Sequence, residues 1–147
     1  MENKKVLNAT VVTIDGQEFK SKFEAKCYLL LKNSGLDFTH EQEHCVLLEG
    51  FQDKNVLDWK WDKKKRTFLR KPMYKAREMT YTPDFAVYTK TGKIYIEAKG
   101  NPNDTFPIKY KMFLKYLSER NDGLSYEYVI VKTIEQMNDV ISKLKQL

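Results

Sequence analysis

With 147 residues and 41% hydrophobic content, the chain can close one core and is too apolar for a disordered segment. It has no apolar run long enough to span a membrane, and its start, Met1-Glu2-Asn3-Lys4-Lys5, does not read as a signal peptide. The net charge of +6 is concentrated: residues 54–77 carry ten Lys and Arg against Asp58 and Asp62, and the remainder is slightly acidic, which points to a polyanionic partner. Two cysteines, Cys27 and Cys45, suit a reducing cytosol, where a disulfide is not needed at this size.

In chain order, residues 6–14 have strand character, and Asp15-Gly16 is a tight-turn dipeptide leading to a short strand at residues 17–19, so a minor hairpin is expected. Ser21-Lys22-Phe23-Glu24 then matches a capping box, with Ser21 as N-cap and Glu24 reaching back. Phe23, Cys27, Leu30 and Leu31 recur at helical spacing until Asn33-Ser34-Gly35 ends the helix. Residues 36–42 read as a strand that Cys45-Val46-Leu47-Leu48 continues. His40, His44, Cys45 and Cys27 match no structural zinc spacing, and a strand histidine explains His40 without making it a general base.

The basic segment interleaves cations with rings. Leu57-Asp58-Trp59-Lys60-Trp61-Asp62 reads as one strand with Trp59 and Trp61 on a shared face, the cluster Lys63-Lys64-Lys65-Arg66 as a turn, and residues 67–70 as the returning strand. Lys63, Lys64, Lys65, Arg66, Arg70 and Lys71 supply charge for phosphates, and Trp59 and Trp61 supply rings for exposed bases. The blander account is a solvated hairpin whose tryptophans pack on the domain.

Residues 81–100 organise the rest. Two strands flank a turn at residues 89–92, with Gly92 supplying permissive backbone. If the turn is symmetric about Lys90 and Thr91, Val87 faces Ile94 and Phe85 faces Ile96 on an apolar side, and Asp84 falls opposite Glu97 on the other. Lys99, two residues on, projects with Glu97. Opposed carboxylates repel, and a hard divalent cation, Mg²⁺ or Mn²⁺, relieves that repulsion. A surface Lys–Glu pair on an exposed hairpin is the alternative.

Further on, Asn101-Pro102-Asn103-Asp104-Thr105 is a polar loop, and Asp104 or Thr105 caps a helix with Pro107 in its first turn. Phe106, Tyr110, Phe113, Leu114 and Leu117 form its apolar stripe. Lys109 lies off that stripe, where it is either a phosphate contact or part of a solvated face. Asn121-Asp122-Gly123 stops the helix, residues 126–131 form an apolar strand, and Thr133 opens a last helix carrying Ile134, Met137, Val140, Ile141 and Leu144.

Pro83-Asp84 followed by Glu97-Ala98-Lys99 resembles the PD-(D/E)XK nuclease signature. Together with Ser21-Lys22-Phe23-Glu24, Tyr81-Thr82 and Gly100, it makes roughly residues 15–120 similar to small phage-borne members, among them the endonuclease I junction resolvases and uncharacterised phage nuclease-like domains. The resemblance implies one α/β (α+β) domain, residues 1–147, with a restriction-endonuclease-like αβββαβ core, a central mixed sheet flanked by helices, and an insertion at about 50–78. That insertion is bulkier than the endonuclease I family has between the equivalent strands. Also implied are a Mg²⁺- or Mn²⁺-dependent endodeoxyribonuclease with catalytic Glu24, Asp84, Glu97 and Lys99, the Ala98 carbonyl as a further metal ligand, and DNA as partner. Branched junctions, recombination, a homodimer and the cytoplasm of a phage's host are the narrower expectations. Three alternatives stay open: a catalytically silent DNA-binding or assembly module on the same shell, an RNA-processing nuclease, and Glu24 as a helix cap only, since one carboxylate geometry is expected to serve either cap or metal.

Overall fold

The computed structural model describes residues 10–100 and 105–147. In chain order the elements begin with β1 (Val12–Ile14), β2 (Gln17–Phe19), α1 (Lys22–Ser34) and β3 (Phe38–His40). They continue with β4 (Cys45–Leu48), β5 (Leu57–Asp62), β6 (Thr67–Pro72) and β7 (Met79–Tyr81). The last are β8 (Phe85–Tyr88), β9 (Gly92–Ala98), α2 (Phe106–Ser118), β10 (Ser125–Val131) and α3 (Ile134–Leu144). The class is mixed α/β, and the chain divides into two compact units, one of them Cys45–Tyr81 and the other made from the chain on either side of it.

The flanking unit is built on a four-stranded mixed sheet in the order β10-β9-β8-β3, with β10 parallel to β9 and the other pairs antiparallel. Taken alone, α1, β3, β8, β9, α2 and β10 follow one another as αβββαβ, with α3 closing the unit. One sheet face carries Phe85, Val87, Ile94 and Ile96, which pack with Cys27 and Leu31 of α1 and with Met137, Ile141 and Leu144 of α3. On the other face Tyr95 meets Phe113 of α2 at 5.3 Å between ring centroids, and Tyr128 meets Phe113 at 5.3 Å and Tyr110 at 5.6 Å. The α2 stripe is narrower than its spacing suggests: Phe106, Phe113 and Leu117 are buried and Leu114 is exposed.

The β8–β9 register pairs Phe85 with Ile96 and Val87 with Ile94, as the symmetric turn requires. Gly92 is there for a different reason from the expected one. It has no positive φ; instead, a Cβ on it would lie 1.8 Å from the Ser125 carbonyl oxygen, so only glycine lets β10 start alongside.

The first helix follows its local signals. Ser21 Oγ accepts from the Glu24 N–H at 3.1 Å, and Gly35 ends α1 in the left-handed region at φ 79°. Ahead of it, β1 and β2 pair through a turn with positive φ at both Asp15 and Gly16, the geometry of a two-residue hairpin turn; residues 6–9 of the expected first strand lie outside the described residues. Two expectations need correction. Residues 36–42 hold only the three-residue β3, and Cys45–Leu48 does not continue it: Glu41 takes φ 48°, the strand ends, and β4 pairs with β7. Thr105 stands at the N-cap of α2 in helical conformation, and its hydroxyl does not cap the helix; Asp104 lies outside the described residues.

The Cys45–Tyr81 unit contains the expected basic hairpin with wider boundaries than about 50–78. Within it β5 and β6 pair over six residues, Trp59 opposite Arg70 and Trp61 opposite Phe68. Asp62 Oδ1 accepts from the N–H groups of Lys64 (2.9 Å) and Lys65 (3.0 Å), which fixes the cationic turn, and Arg66 closes it at φ 51°.

Candidate active site

Among the described residues the buried polar or charged side chains are Glu24, Asp84 and Glu97, at 3%, 8% and 7% exposure. All three come from the motif positions. They converge where α1 and β8 begin and β9 ends. Asp84 stands one residue ahead of β8, and its Oδ2 accepts from the Ala98 N–H at 2.8 Å, which ties it across to the end of β9. Lys99 follows on that strand. Its Nζ lies 3.7 Å from Glu97 Oε1 and 4.3 Å from the centre of the Phe106 ring, so the first residue of α2 lies under the ammonium. Lys109 is one turn further along α2, half-buried.

Glu24 divides its two oxygens. Oε2 accepts from the Lys20 backbone N–H at 3.1 Å, one residue outside the expected capping box, and Oε1 meets His40 Nε2 at 2.8 Å. Glu24 therefore anchors the chain entry with one oxygen and holds His40 with the other.

His40 is a residue whose role the sequence left bland. Its ring packs against Phe19 (4.6 Å) and Phe85 (5.3 Å), so Glu24 Oε1 has a fixed partner. The signal was present in the alternation of β3, which puts His40 on the same inward side as Phe38. Glu41 and Lys20 were also missed. They form an ion pair at the rim, and donor atoms of Glu24, His40 and Glu41 lie within 4.8 Å of one another. Nothing local in the sequence marked Lys20; only the fold brings it here. The histidines do not combine with the cysteines, since His44 Nδ1 meets Thr82 Oγ1 at 2.6 Å, away from His40.

The electrostatics follow from these neighbours. Burial pushes the Asp84 carboxyl well above the usual carboxylate range, the Glu97 and Glu24 charges push it further, and the Ala98 N–H and Lys20 only partly oppose them. Burial also raises the Cys27 thiol on α1 to about 12, with Asp84 and Glu24 adding to it. Glu43, in the same unit, is the contrast. Burial alone would raise it, but hydrogen bonds from Lys93 (2.8 Å), Tyr95 (2.7 Å) and Tyr88 (2.8 Å) outweigh that and lower it. The partly buried Glu43 is satisfied by the protein; the buried Asp84 is left with surplus negative charge. Desolvating an ion costs several kcal/mol, while a hydrogen bond to a charged group returns about 1.5–3 kcal/mol, so one backbone N–H does not balance Asp84. Oxygen donors with unbalanced charge suit a hard divalent cation.

The chain belongs to the family described as "Protein of unknown function (DUF1064)", whose model matches residues 4–133. That span includes Glu24, His40, Asp84, Glu97 and Lys99 and ends just before α3. No curated protein and no solved structure matches the chain.

Proposed function

We propose that this chain is a metal-dependent endonuclease that hydrolyses phosphodiester bonds in DNA. The observation that carries the reading is the burial of Glu24, Asp84 and Glu97, with Asp84 pushed towards its protonated form by its burial and by the charges of the two glutamates. A cation site explains that arrangement; stability does not, because acids buried together weaken a fold. The αβββαβ order and the resemblance to PD-(D/E)XK nucleases support it.

In this reading Asp84 and Glu97 would hold Mg²⁺ or Mn²⁺, with the Ala98 carbonyl as a further ligand and Glu24 serving the same or a second ion. Bound there, the ion would supply a lowered pKa for its water and would offset charge on the scissile phosphate. The chain's own groups do the rest. Lys99, steadied by Glu97 and Phe106, orients the attacking water and stabilises negative charge building on the phosphate. Protonated, it stabilises charge and does not remove a proton. His40 and the Lys20 N–H fix the two oxygens of Glu24, the arrangement that keeps a ligating carboxylate in one rotamer. Lys63, Lys64, Lys65, Arg66, Arg70, Lys71 and Lys109 neutralise DNA phosphates, with Trp59 and Trp61 beside them.

Branched DNA is the narrower proposal. Resolving a four-way junction takes two symmetric nicks, hence a homodimer, acting in the cytoplasm of the host if the gene is phage-borne. The test is a cleavage panel of linear, flapped and four-way DNA with Mg²⁺ and Mn²⁺. Wild type is expected to cut at least one substrate, while Asp84→Ala and Glu97→Ala bind DNA and cut none. A wild type that binds every substrate and cuts none would leave a silent DNA-binding module. Faster cutting of RNA than DNA would move the activity to RNA processing.

A further inference from the structure

The β5–β6 hairpin turns its rings outward. Strand alternation and register put Leu57, Trp59 and Trp61 on the same side as Phe68, Arg70 and Pro72. Trp59, Trp61 and Phe68 are each more than half exposed. They are nevertheless ordered against one another: Phe68 meets the Trp61 ring edge-on at 5.0 Å and Trp59 at 6.1 Å, and the Arg70 guanidinium lies over Trp59 at 5.4 Å. Asp58 turns to the opposite face, where it pairs with Lys60. The aromatic face therefore carries Arg70 and no acid, and it runs up to the four-cation turn.

A second copy of this chain is a poor occupant for such a face. Residues 54–77 hold ten cations against two acids, so two hairpins brought face to face repel. An anion with flat apolar surfaces fits. In duplex DNA the bases are hidden in the stack, and their edges are read by hydrogen-bonding groups that three hydrocarbon-rich rings supply poorly. Unpaired bases offer their faces to rings while their phosphates meet the surrounding cations.

We infer that the Trp59–Trp61–Phe68 face is a stacking platform for unpaired DNA bases, so that this protein recognises DNA with a single-stranded segment and not plain duplex. The inference rests on the DNA part of the reading above and is independent of cleavage.

Trp59 and Trp61 are the chain's two tryptophans, so its intrinsic tryptophan emission reports on this face alone. In EDTA, emission is titrated with an oligo(dT) of about 15 nucleotides, and with a blunt duplex carrying the same number of phosphates, at one salt concentration. The single strand is expected to quench the emission and to bind at least about tenfold more tightly than the duplex. Phe68→Ala, which keeps both reporters, and Trp59→Ala, which keeps one, are expected to weaken oligo(dT) binding about tenfold while duplex affinity, read by anisotropy of a labelled duplex, stays put. Equal affinities, or ring variants that weaken both ligands alike, overturn the proposal. So does tighter binding of oligo(U) than of oligo(dT). Self-association that Phe68→Ala abolishes, without a DNA-dependent quench, overturns it in favour of a second copy. A protein that passes this test and cuts nothing keeps the platform and loses the nuclease; one that cuts duplex and shows no single-strand preference does the reverse.

Discussion

The two units of this protein break the usual rule of residue placement in opposite directions. In the sheet unit three carboxylates are buried; on the β5–β6 hairpin of the other unit three large rings, Trp59, Trp61 and Phe68, stand in water. Either exception costs stability, and neither is needed to make the fold. The difference lies in what each would recruit. Buried acids in surplus call for a small hard cation, and exposed rings bordered by cations call for a flat polyanion. Local departures from good packing chemistry are where function is expected, and here they are of two distinct kinds.

The comparison can be sharpened by substitutions on each side. The largest effect after loss of the acids is expected from Lys99→Ala: kcat down about 10²–10³-fold with DNA affinity nearly unchanged, the size of losing one charge-stabilising donor. A rise in Kd accounting for the whole loss would make Lys99 a binding residue. Next comes the charge of the hairpin. Replacing Lys63, Lys64, Lys65 and Arg66 with Gln is expected to flatten the dependence of log K on log salt by up to about 3 units and to leave the melting temperature unchanged, because these groups are exposed. A large drop in melting temperature would give the turn a structural role.

A smaller effect is expected at His40. His40→Phe keeps the ring packing on Phe19 and Phe85 but loses the bond to Glu24, and Mn²⁺ affinity by calorimetry should fall about 10–100-fold. His40→Gln, which restores a donor, should recover part of it. Unchanged Mn²⁺ affinity in His40→Phe would detach His40 from the site.

The mildest test contrasts two acids of one unit by pH. Asp84 binds its proton more tightly folded than unfolded, so its charge costs stability above the raised folded pKa, and that cost vanishes as pH falls towards 3.8. Asp84→Asn should therefore raise the metal-free melting temperature at neutral pH, with the gain fading on acidification. Glu43 has the opposite sign: its folded pKa is lowered, and its contribution is present above about 4.5 and lost as pH falls through the folded value. Glu43→Gln should lower the melting temperature at neutral pH and matter little in acid. Equal signs for the two would contradict the surplus charge assigned to Asp84.

Much of this was legible in the chain. The β8–β9 register followed from turn symmetry and alternation, α1 from its Ser21 cap and Gly35 stop, and the hairpin from the two aromatic strands around four cations. Strand alternation across the turn, together with the flanking motif residues, singled out Asp84, Glu97 and Lys99. These signals are local: they depend on residues within a few positions of each other or across one turn. The misses were long-range. Gly92 is fixed by Ser125, 33 residues on; β4 pairs with β7 across the whole hairpin; and Glu24 on α1 is bonded by His40 from β3.

The sequence by itself determined the alternation, the caps and turns, the order of elements and the segregation of charge, because each is set by backbone sterics and by neighbours along the chain. Only the tertiary structure decided that Glu24, Asp84 and Glu97 would be buried together, that Asp84 would lack a balancing charge, and that His40 would hold Glu24. Burial and Coulomb energy depend on distance in space, and the chain's order does not encode that distance directly.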